Sequence, residues 1–366
     1  MKPTALDLFC GAGGLTRGLM EAGFKILGAI DSWEPAISSY RANFVDHPSW
    51  LRDVASLDAA SFNELGIPSG IDLVAGGPPC QGFSVQRIGN DEDERNDLVL
   101  CFGRAVIALK ARAFIMENVR GLLGARGKTT VRRFLAEMER AGYSVQHRVL
   151  EAADFGVPQA RQRVFFVGLR GGESGAFEFP YPTVAQHKTV AEALADLKSP
   201  PEDLRPVPGD PLHRRTKLSK LNLLRLKHVP PGGGFEDIPV ELRVNCHKAG
   251  AGRIGHRAVY GRLHPDRPSA TITARFDSFT RGRFAHPFED RNITLREGAR
   301  LQGFSDEHIF LGTQEDVAAQ IGNAIPPPLA TAVAAAVAKS LAGDNSSSRW
   351  HLRNHQPELP LFALSN

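Results

Sequence analysis

Gly76-Gly77-Pro78-Pro79-Cys80-Gln81-Gly82-Phe83-Ser84 follows directly on Ile71-Asp72-Leu73-Val74-Ala75. The lead-in is an apolar run with the length and composition of a buried strand. Two glycines and two prolines then stop the ladder and force a turn. The sequence thus predicts a cysteine presented at the end of a buried strand, on a loop stiffened by proline. In an open α/β sheet that end is where ligands sit. Free cysteine is among the most buried residue types, but a core cysteine needs no such loop. Cys80 reads as a nucleophile.

Around this loop lie 366 residues, 42% hydrophobic and 23% charged, with a mean hydropathy of −0.21. These values describe a soluble globular chain long enough for one large domain and a smaller one. No apolar run approaches membrane-spanning length and no signal-peptide pattern opens the chain. The cysteines at 10, 80, 101 and 246 have neither metal nor disulfide spacing, which fits a reducing cytosol. The net charge of +4 is mild, so its distribution matters more than its sum.

Upstream, Thr4–Cys10 reads as a first buried strand running into Asp7-Leu8-Phe9-Cys10-Gly11-Ala12-Gly13-Gly14-Leu15, and Leu15–Ala22 continues at helical spacing. Glycines at such a junction let backbone approach a ligand, and the helix start offers N–H groups to an anion. Thr16 stands where the dinucleotide fingerprint has its third glycine, so that fingerprint is absent. Ile26–Ile30 is a second strand, with Asp31 at its end and Trp33 beyond. A carboxylate there can accept both ribose hydroxyls. Asp53-Val54 closes a shorter segment. An aspartate at a strand end also serves as a helix cap, so both readings stand.

Downstream, Arg87–Asp97 is polar and reads as a surface loop. Leu98–Lys110 reads as a helix, and Ala113–Met116 as a strand ending in Glu117-Asn118-Val119, which places Glu117 at the sheet edge shared with Cys80. Lys128–Ala141 has amphipathic spacing and Tyr143–Leu150 strand character. Arg161 and Arg163 enter the apolar strand Val164–Gly168, and unpaired buried charges are costly, so both need partners. From Pro180 to about Asn292 periodicity is poor and proline, glycine and basic residues abound. Arg214, Arg215, Lys217, Lys220, Arg253, Arg257, Arg262, Arg267, Arg275, Arg281 and Arg283 are interleaved with Tyr260, Phe276, Phe279 and Phe284, the footprint of phosphate and base contact. Thr294–Phe304 and Ala330–Leu341 return to helix.

Pro78-Pro79-Cys80-Gln81-Gly82-Phe83-Ser84 resembles the catalytic loop of the bacterial-type DNA cytosine-5 methyltransferases. Other blocks of that family recur in order from Asp7 to about Ala330, ending in Gln320-Ile321-Gly322-Asn323-Ala324-Ile325-Pro326-Pro327. The resemblance implies a Rossmann-like α/β S-adenosylmethionine-dependent methyltransferase domain, residues 1–180 plus 293–342. A smaller target-recognition domain, 181–292, is inserted, and 343–366 is a flexible tail. It makes Phe9, Gly11, Gly13, Gly14 and Leu15 the S-adenosyl-L-methionine loop, facing the methionine carboxylate. Asp31 and Trp33, Asp53 and Val54, Leu98, Asn323 and Ala324 complete the cofactor pocket, with Asp53 against the adenine amino group. Arg87–Asp97 becomes a lid over the substrate.

By the same resemblance Cys80 attacks C6 of a flipped-out cytosine while Glu117 holds N3 and the amino group, Arg163 reaches the base and Glu117, and Arg161 supports them. Activation is needed because aromatic C5 is a poor nucleophile, and flipping because a stacked base is out of reach. Gln81, Ser84, Arg257, Tyr260, Thr271, Arg275, Arg281 and Arg283 are the expected contacts to double-stranded DNA. No metal is expected.

Two alternatives remain open. A tRNA methyltransferase shares these motifs, but that branch has Cys-Phe-Thr after its glutamate block, where this chain has Arg120-Gly121-Leu122. A non-catalytic DNA-binding module would not need Cys80, Glu117 and Arg163. In the tail, Gln356, Leu359, Leu361 and Phe362 resemble the peptides by which bacterial proteins dock on the sliding clamp. The expectation is a monomer in the bacterial cytoplasm, on the nucleoid.

Overall fold

The computed structural model describes residues 2–79, 97–171, 177–248 and 258–343. The first half alternates β1 (Thr4–Leu8), α1 (Gly14–Glu21), β2 (Lys25–Asp31), α2 (Glu34–Asn43), β3 (Ser49–Leu51), α3 (Ala59–Glu64), β4 (Leu73–Gly76), α4 (Asp97–Ala108), β5 (Ala113–Val119), α5 (Lys128–Arg140), β6 (Tyr143–Glu151) and β7 (Gln162–Arg170). The strands form one sheet in the order β3-β2-β1-β4-β5-β7-β6, parallel except for β7, as a Rossmann-like methyltransferase fold requires. β1 pairs with β2 on one side and β4 on the other, so strand order reverses there and leaves a crevice beyond their C-terminal ends.

Alternation along each strand feeds two cores. Ala5, Leu73 or Ala75 and Ile115 face one layer with α1, while Leu6, Leu8, Val74, Phe114 and Met116 face the other with α4 and α5. Two strands run further than the apolar pattern alone indicated. Glu117, Asn118 and Val119 continue β5 because they pair with Phe165, Val164 and Arg163. Helix ends differ for a similar local reason: Thr294 caps with Glu297 in a capping box, and Pro327 fits the first turn of a helix.

The second half adds α6 (Val190–Leu194), α7 (Lys220–Lys227), α8 (Asn245–Lys248), the short strands β8 (Gly261–Arg262) and β9 (Arg283–Ala285), then α9 (Leu295–Leu301), α10 (Gln314–Asn323) and α11 (Pro327–Leu341). A separate small core gathers Leu226, Val229, Phe235, Ile238, Phe279 and Ala285. Val190, Ala193, Leu212, Ile272 and Phe276 instead share a core with Leu301, Phe304 and Ile321, so the flanks of this segment pack into the body.

α11 closes back on α1. A Cβ at Gly14 would stand 2.4 Å from the Ile325 carbonyl, and one at Gly18 2.5 Å from the Ala330 methyl, so only glycine permits the approach. Gln314–Leu341 is long and apolar enough to cross a membrane by composition, contrary to the expectation above. Here it is two helices parted at Ala324–Pro326, with Leu329, Val333 and Val337 buried in the core.

Candidate active site and cofactor crevice

The end of β4 is fixed by close packing. A Cβ on Gly76 would meet the Leu8 carbonyl at 2.4 Å, and one on Gly77 would meet Glu117 Oε2 at 3.2 Å and Ile325 Cδ1 at 3.3 Å. Asn118 Nδ2 donates to the Pro78 carbonyl at 3.1 Å, fastening the start of the loop to β5. Cys80, Gln81, Ser84 and the expected lid up to Asn96 lie outside the described residues, as does Arg257.

Glu117 and Arg163 come together at this edge, Arg163 Nε lying 2.9 Å from Glu117 Oε1. Only 10% of the Glu117 side chain and 14% of the Arg163 side chain is exposed. Burial raises the Glu117 carboxyl above its ordinary range, against the lowering charges of Arg163 and Arg161. The carboxyl thus holds its proton more readily than an exposed glutamate, and it faces the loop start at Gly77.

Arg161 is buried completely and turned elsewhere. Its Nη1 donates to the Ile272 carbonyl at 2.9 Å, and Nη2 to those of Gly322 and Ala324 at 3.0 and 3.1 Å. It joins the sheet, the segment around Ile272 and the turn after α10, a supporting position. Sequence reasoning missed its companions. Gln159 donates to the Leu301 carbonyl and accepts from Ile272 N, while Gln302 donates to the Ala324 carbonyl. The available signal was placement: Gln159 lies two residues before Arg161 and Gln302 near the end of the Thr294–Phe304 helix, where a buried amide must find partners.

In the crevice, Phe9, Gly11 and Gly13 adopt φ of 58°, 55° and 93°. Such a conformation at a phenylalanine is strained and marks a constrained loop. Gly13 also has the Phe44 ring 2.1 Å from its Cβ position, whereas Gly11 has no atom of the described residues within 4 Å of its own. Asp31 Oδ2 accepts from Gly11 N at 2.8 Å and Oδ1 from Trp33 N at 2.9 Å. Burial raises its carboxyl, and those two amides oppose the rise. Each oxygen keeps a lone pair for a hydroxyl, and the space over Gly11 is clear of the described residues, so this edge fits a nucleoside ribose. Asp53 caps the turn Val54–Ser56 through Ala55 N at 2.9 Å, leaving Oδ2 free among the described residues. Val54 is buried, Trp33, Leu98 and Ala324 are half-buried, and Asn323 is exposed. Leu15 is core, packed with Leu19 and Leu329.

The basic segment departs from expectation. Phe276, Phe279 and Phe284 are buried in the cores, so they are not available for stacking on bases. Arg262 is buried and ion-paired with Asp290, and Arg215 pairs with Glu289; both hold the segment together. Tyr260 packs edge-on against Phe279 at 5.4 Å with Arg225 over its ring. Thr271 donates to the Ala160 carbonyl, and Arg275 pairs with Asp277 and Glu315. Arg281 is exposed without a partner among the described residues. Arg283 is half-buried, its Nε unpartnered among them.

The profile described as "C-5 cytosine-specific DNA methylase" matches residues 4–339. The chain is 36% identical over 344 residues to the type II methyltransferase M1.HphI of Haemophilus parahaemolyticus, covering 93% of this chain and 87% of that protein. It is also 36% identical over 328 residues to M.NgoFVII of Neisseria gonorrhoeae, covering 89% and 84%. Among solved structures, an E. coli prophage protein described as a DNA modification methyltransferase superposes with a TM-score of 0.73 at 25% identity, covering 93% of this chain and 99% of that one. The chain belongs to the C-5 cytosine-specific DNA methylase family. It is thus an S-adenosylmethionine-dependent DNA cytosine-5 methyltransferase.

Proposed function

We propose that Cys80, Glu117 and Arg163 carry the methylation of a flipped-out cytosine within a specific duplex sequence. The observation that supports this division of roles is the buried Glu117–Arg163 pair, which stands beside Gly77, three residues before Cys80. S-adenosylmethionine supplies an electrophilic methyl group on a sulfonium, held by the loop Phe9–Leu15 with Asp31, Trp33, Asp53, Val54, Leu98, Asn323 and Ala324. The Cys80 thiolate adds to C6, and Glu117, hydrogen-bonded at N3 and the exocyclic amino group, stabilises the charge that develops. C5 becomes nucleophilic and accepts the methyl group. A base then removes the C5 proton, and the C6–S bond breaks to release Cys80. Arg163 orients Glu117, and Arg161 holds the surrounding backbone. Arg281 and Arg283, whose guanidinium groups retain uncommitted donors among the described residues, are the foremost DNA contacts, and Gln81, Ser84, Arg257, Tyr260, Thr271 and Arg275 are the further candidates.

A duplex carrying 5-fluorocytosine in the target site tests the chemistry, because the C5 fluorine cannot leave as a proton does. A denaturant-stable adduct at Cys80 is expected; an adduct at another residue would refute the assignment. Labelled cofactor should go into duplex DNA and not into tRNA. The type II designation of the relatives supports a role as the modification half of a restriction–modification pair, and we infer that the enzyme acts as a cytoplasmic monomer on the nucleoid. The tail peptide 350–366, outside the described residues, is read as a sliding-clamp ligand through Gln356, Leu359, Leu361 and Phe362. Fluorescence polarisation against purified clamp checks this: no binding at about 100 μM, roughly −5 kcal/mol, ends it.

A further inference from the structure

Asp7 lies at the end of β1 with none of its surface exposed to solvent. Its Oδ2 accepts the Thr16 hydroxyl at 2.5 Å. That hydroxyl lies 3.0 Å from the Tyr40 hydroxyl, itself 2.7 Å from His47 Nε2. Oδ1 is buried and has no partner among the described residues. A buried carboxylate without a cation is costly, and the neighbouring charge that acts on Asp7 is another carboxylate, Asp31. Among the described residues, the other groups found around it carry no positive charge at neutral pH. From the loop comes Cys10, its thiol pushed up by burial; from α2 comes Tyr40, its phenol pushed up likewise. His47, beyond Tyr40, is lowered by burial. β2 and β4 place Ala29 and Ala75 opposite Asp7 in the ladder.

We propose that Asp7 makes the crevice prefer the sulfonium-bearing cofactor over its demethylated product, by placing a negative charge in the strand that leads into the loop Phe9–Gly13. The inference rests on reading that loop as the cofactor site. Cofactor and product share an ammonium and a carboxylate. They differ in one charge: when the methyl leaves, sulfur keeps the bonding electron pair and becomes a neutral thioether. A carboxylate in a region of low dielectric distinguishes these two sulfurs without touching either. Asp7 would thereby favour both loading of cofactor and release of product.

Burial pushes the Asp7 carboxyl up to about 7, the Thr16 hydroxyl opposing and Asp31 adding. The preference should therefore strengthen as pH rises through neutrality. Calorimetric titration of the full chain and of Asp7→Asn with each ligand between pH 6 and pH 8.5 tests this, because the sulfonium acidifies the cofactor's own ammonium and only the difference between the two proteins reports Asp7. Relative to Asp7→Asn, the wild-type ratio of product to cofactor constants should rise about tenfold across the range. Asp7→Asn should still bind product. Thr16→Val, which removes the lowering hydroxyl, should move the midpoint to higher pH. An Asp7→Asn protein that keeps the wild-type ratio and pH profile, or that loses both ligands alike, overturns the proposal. Asp31→Ala serves as the control on the site: it should weaken both ligands together. If it weakens neither, the crevice is not the cofactor site and the inference falls with that reading.

Discussion

Arg163 at the sheet edge and Arg262 in the inserted segment are both largely buried, and each meets a carboxylate. Arg262 spends all of its donors on structure. Nε goes to the Val229 carbonyl, Nη1 to those of His286 and Glu289, and Nη2 to Leu226 and to Asp290. A guanidinium has five N–H groups, so nothing remains for a ligand. Arg163 commits Nε to Glu117 and Nη1 to the Gln162 carbonyl, and keeps further donors unassigned among the described residues. Charge and burial alone do not separate a working arginine from a scaffolding one. The number of donors left over does, and by that measure the basic segment holds fewer DNA-reading arginines than its composition suggests.

The widest separation between chemistry and scaffold is expected at Cys80→Ala. Methyl transfer should fall by roughly 10⁴-fold or more, with DNA and cofactor affinities kept; residual turnover near wild type would break the scheme. Glu117→Gln should lower kcat and kcat/KM together by about 10²–10³-fold, with little change in urea midpoint. If the midpoint falls and specific activity does not, Glu117 belongs with the scaffold. Arg262→Met should do the reverse. Five acceptors lose their donor, so unfolding free energy should drop by about 3 kcal/mol, while the folded fraction methylates normally. Arg281→Ala should cost about 1–3 kcal/mol of DNA affinity or site preference with stability unchanged, and a gel-shift series over variant sites reads it directly. The smallest effect concerns Asp7. Its carboxyl ionises at about 7 in the native state and near 3.8 when unfolded. The unfolded chain thus releases this proton first, and stability falls as pH rises between those values. From pH 6 to pH 8 the stability gap in favour of Asp7→Asn should widen by about 1 kcal/mol; an unchanged gap would mean Asp7 is not neutralised by burial.

The sheet body was legible because its signals are local. A buried parallel strand such as Leu73–Gly76 or Ala113–Met116 is an unbroken apolar run, and the glycines and prolines that end it announce the loop. Glu117 and Arg163 were legible as a pair through their family blocks, although β5 and β7 extend past the apolar residues into them. What stayed hidden was non-local. Gln159 meets Gln302 and Ile272 across more than 100 residues of chain, and no periodicity encodes that. An irregular segment lacks the spacing that marks a core residue, so nothing local separates Phe276, Phe279 and Phe284 from base contacts; they are buried by close neighbours, such as Gly298 beneath the Phe276 ring.

The contact between α1 and α11 has a consequence for the timing of synthesis. α1 ends at Glu21 and α11 at Leu341, so about 320 residues must be made before the helix that covers Gly14 and Gly18 exists. At roughly 5–20 residues per second that interval is on the order of 15–60 s. Through it, the Leu15 and Leu19 side of the first helix waits without its partner, and the turn carrying Asn323 and Ala324 is not yet there to complete the crevice. A nascent or prematurely ended chain therefore has β4 and its loop but not the turn that closes the crevice against α1. On the proposed assignment of the crevice, competence comes only as α11 arrives.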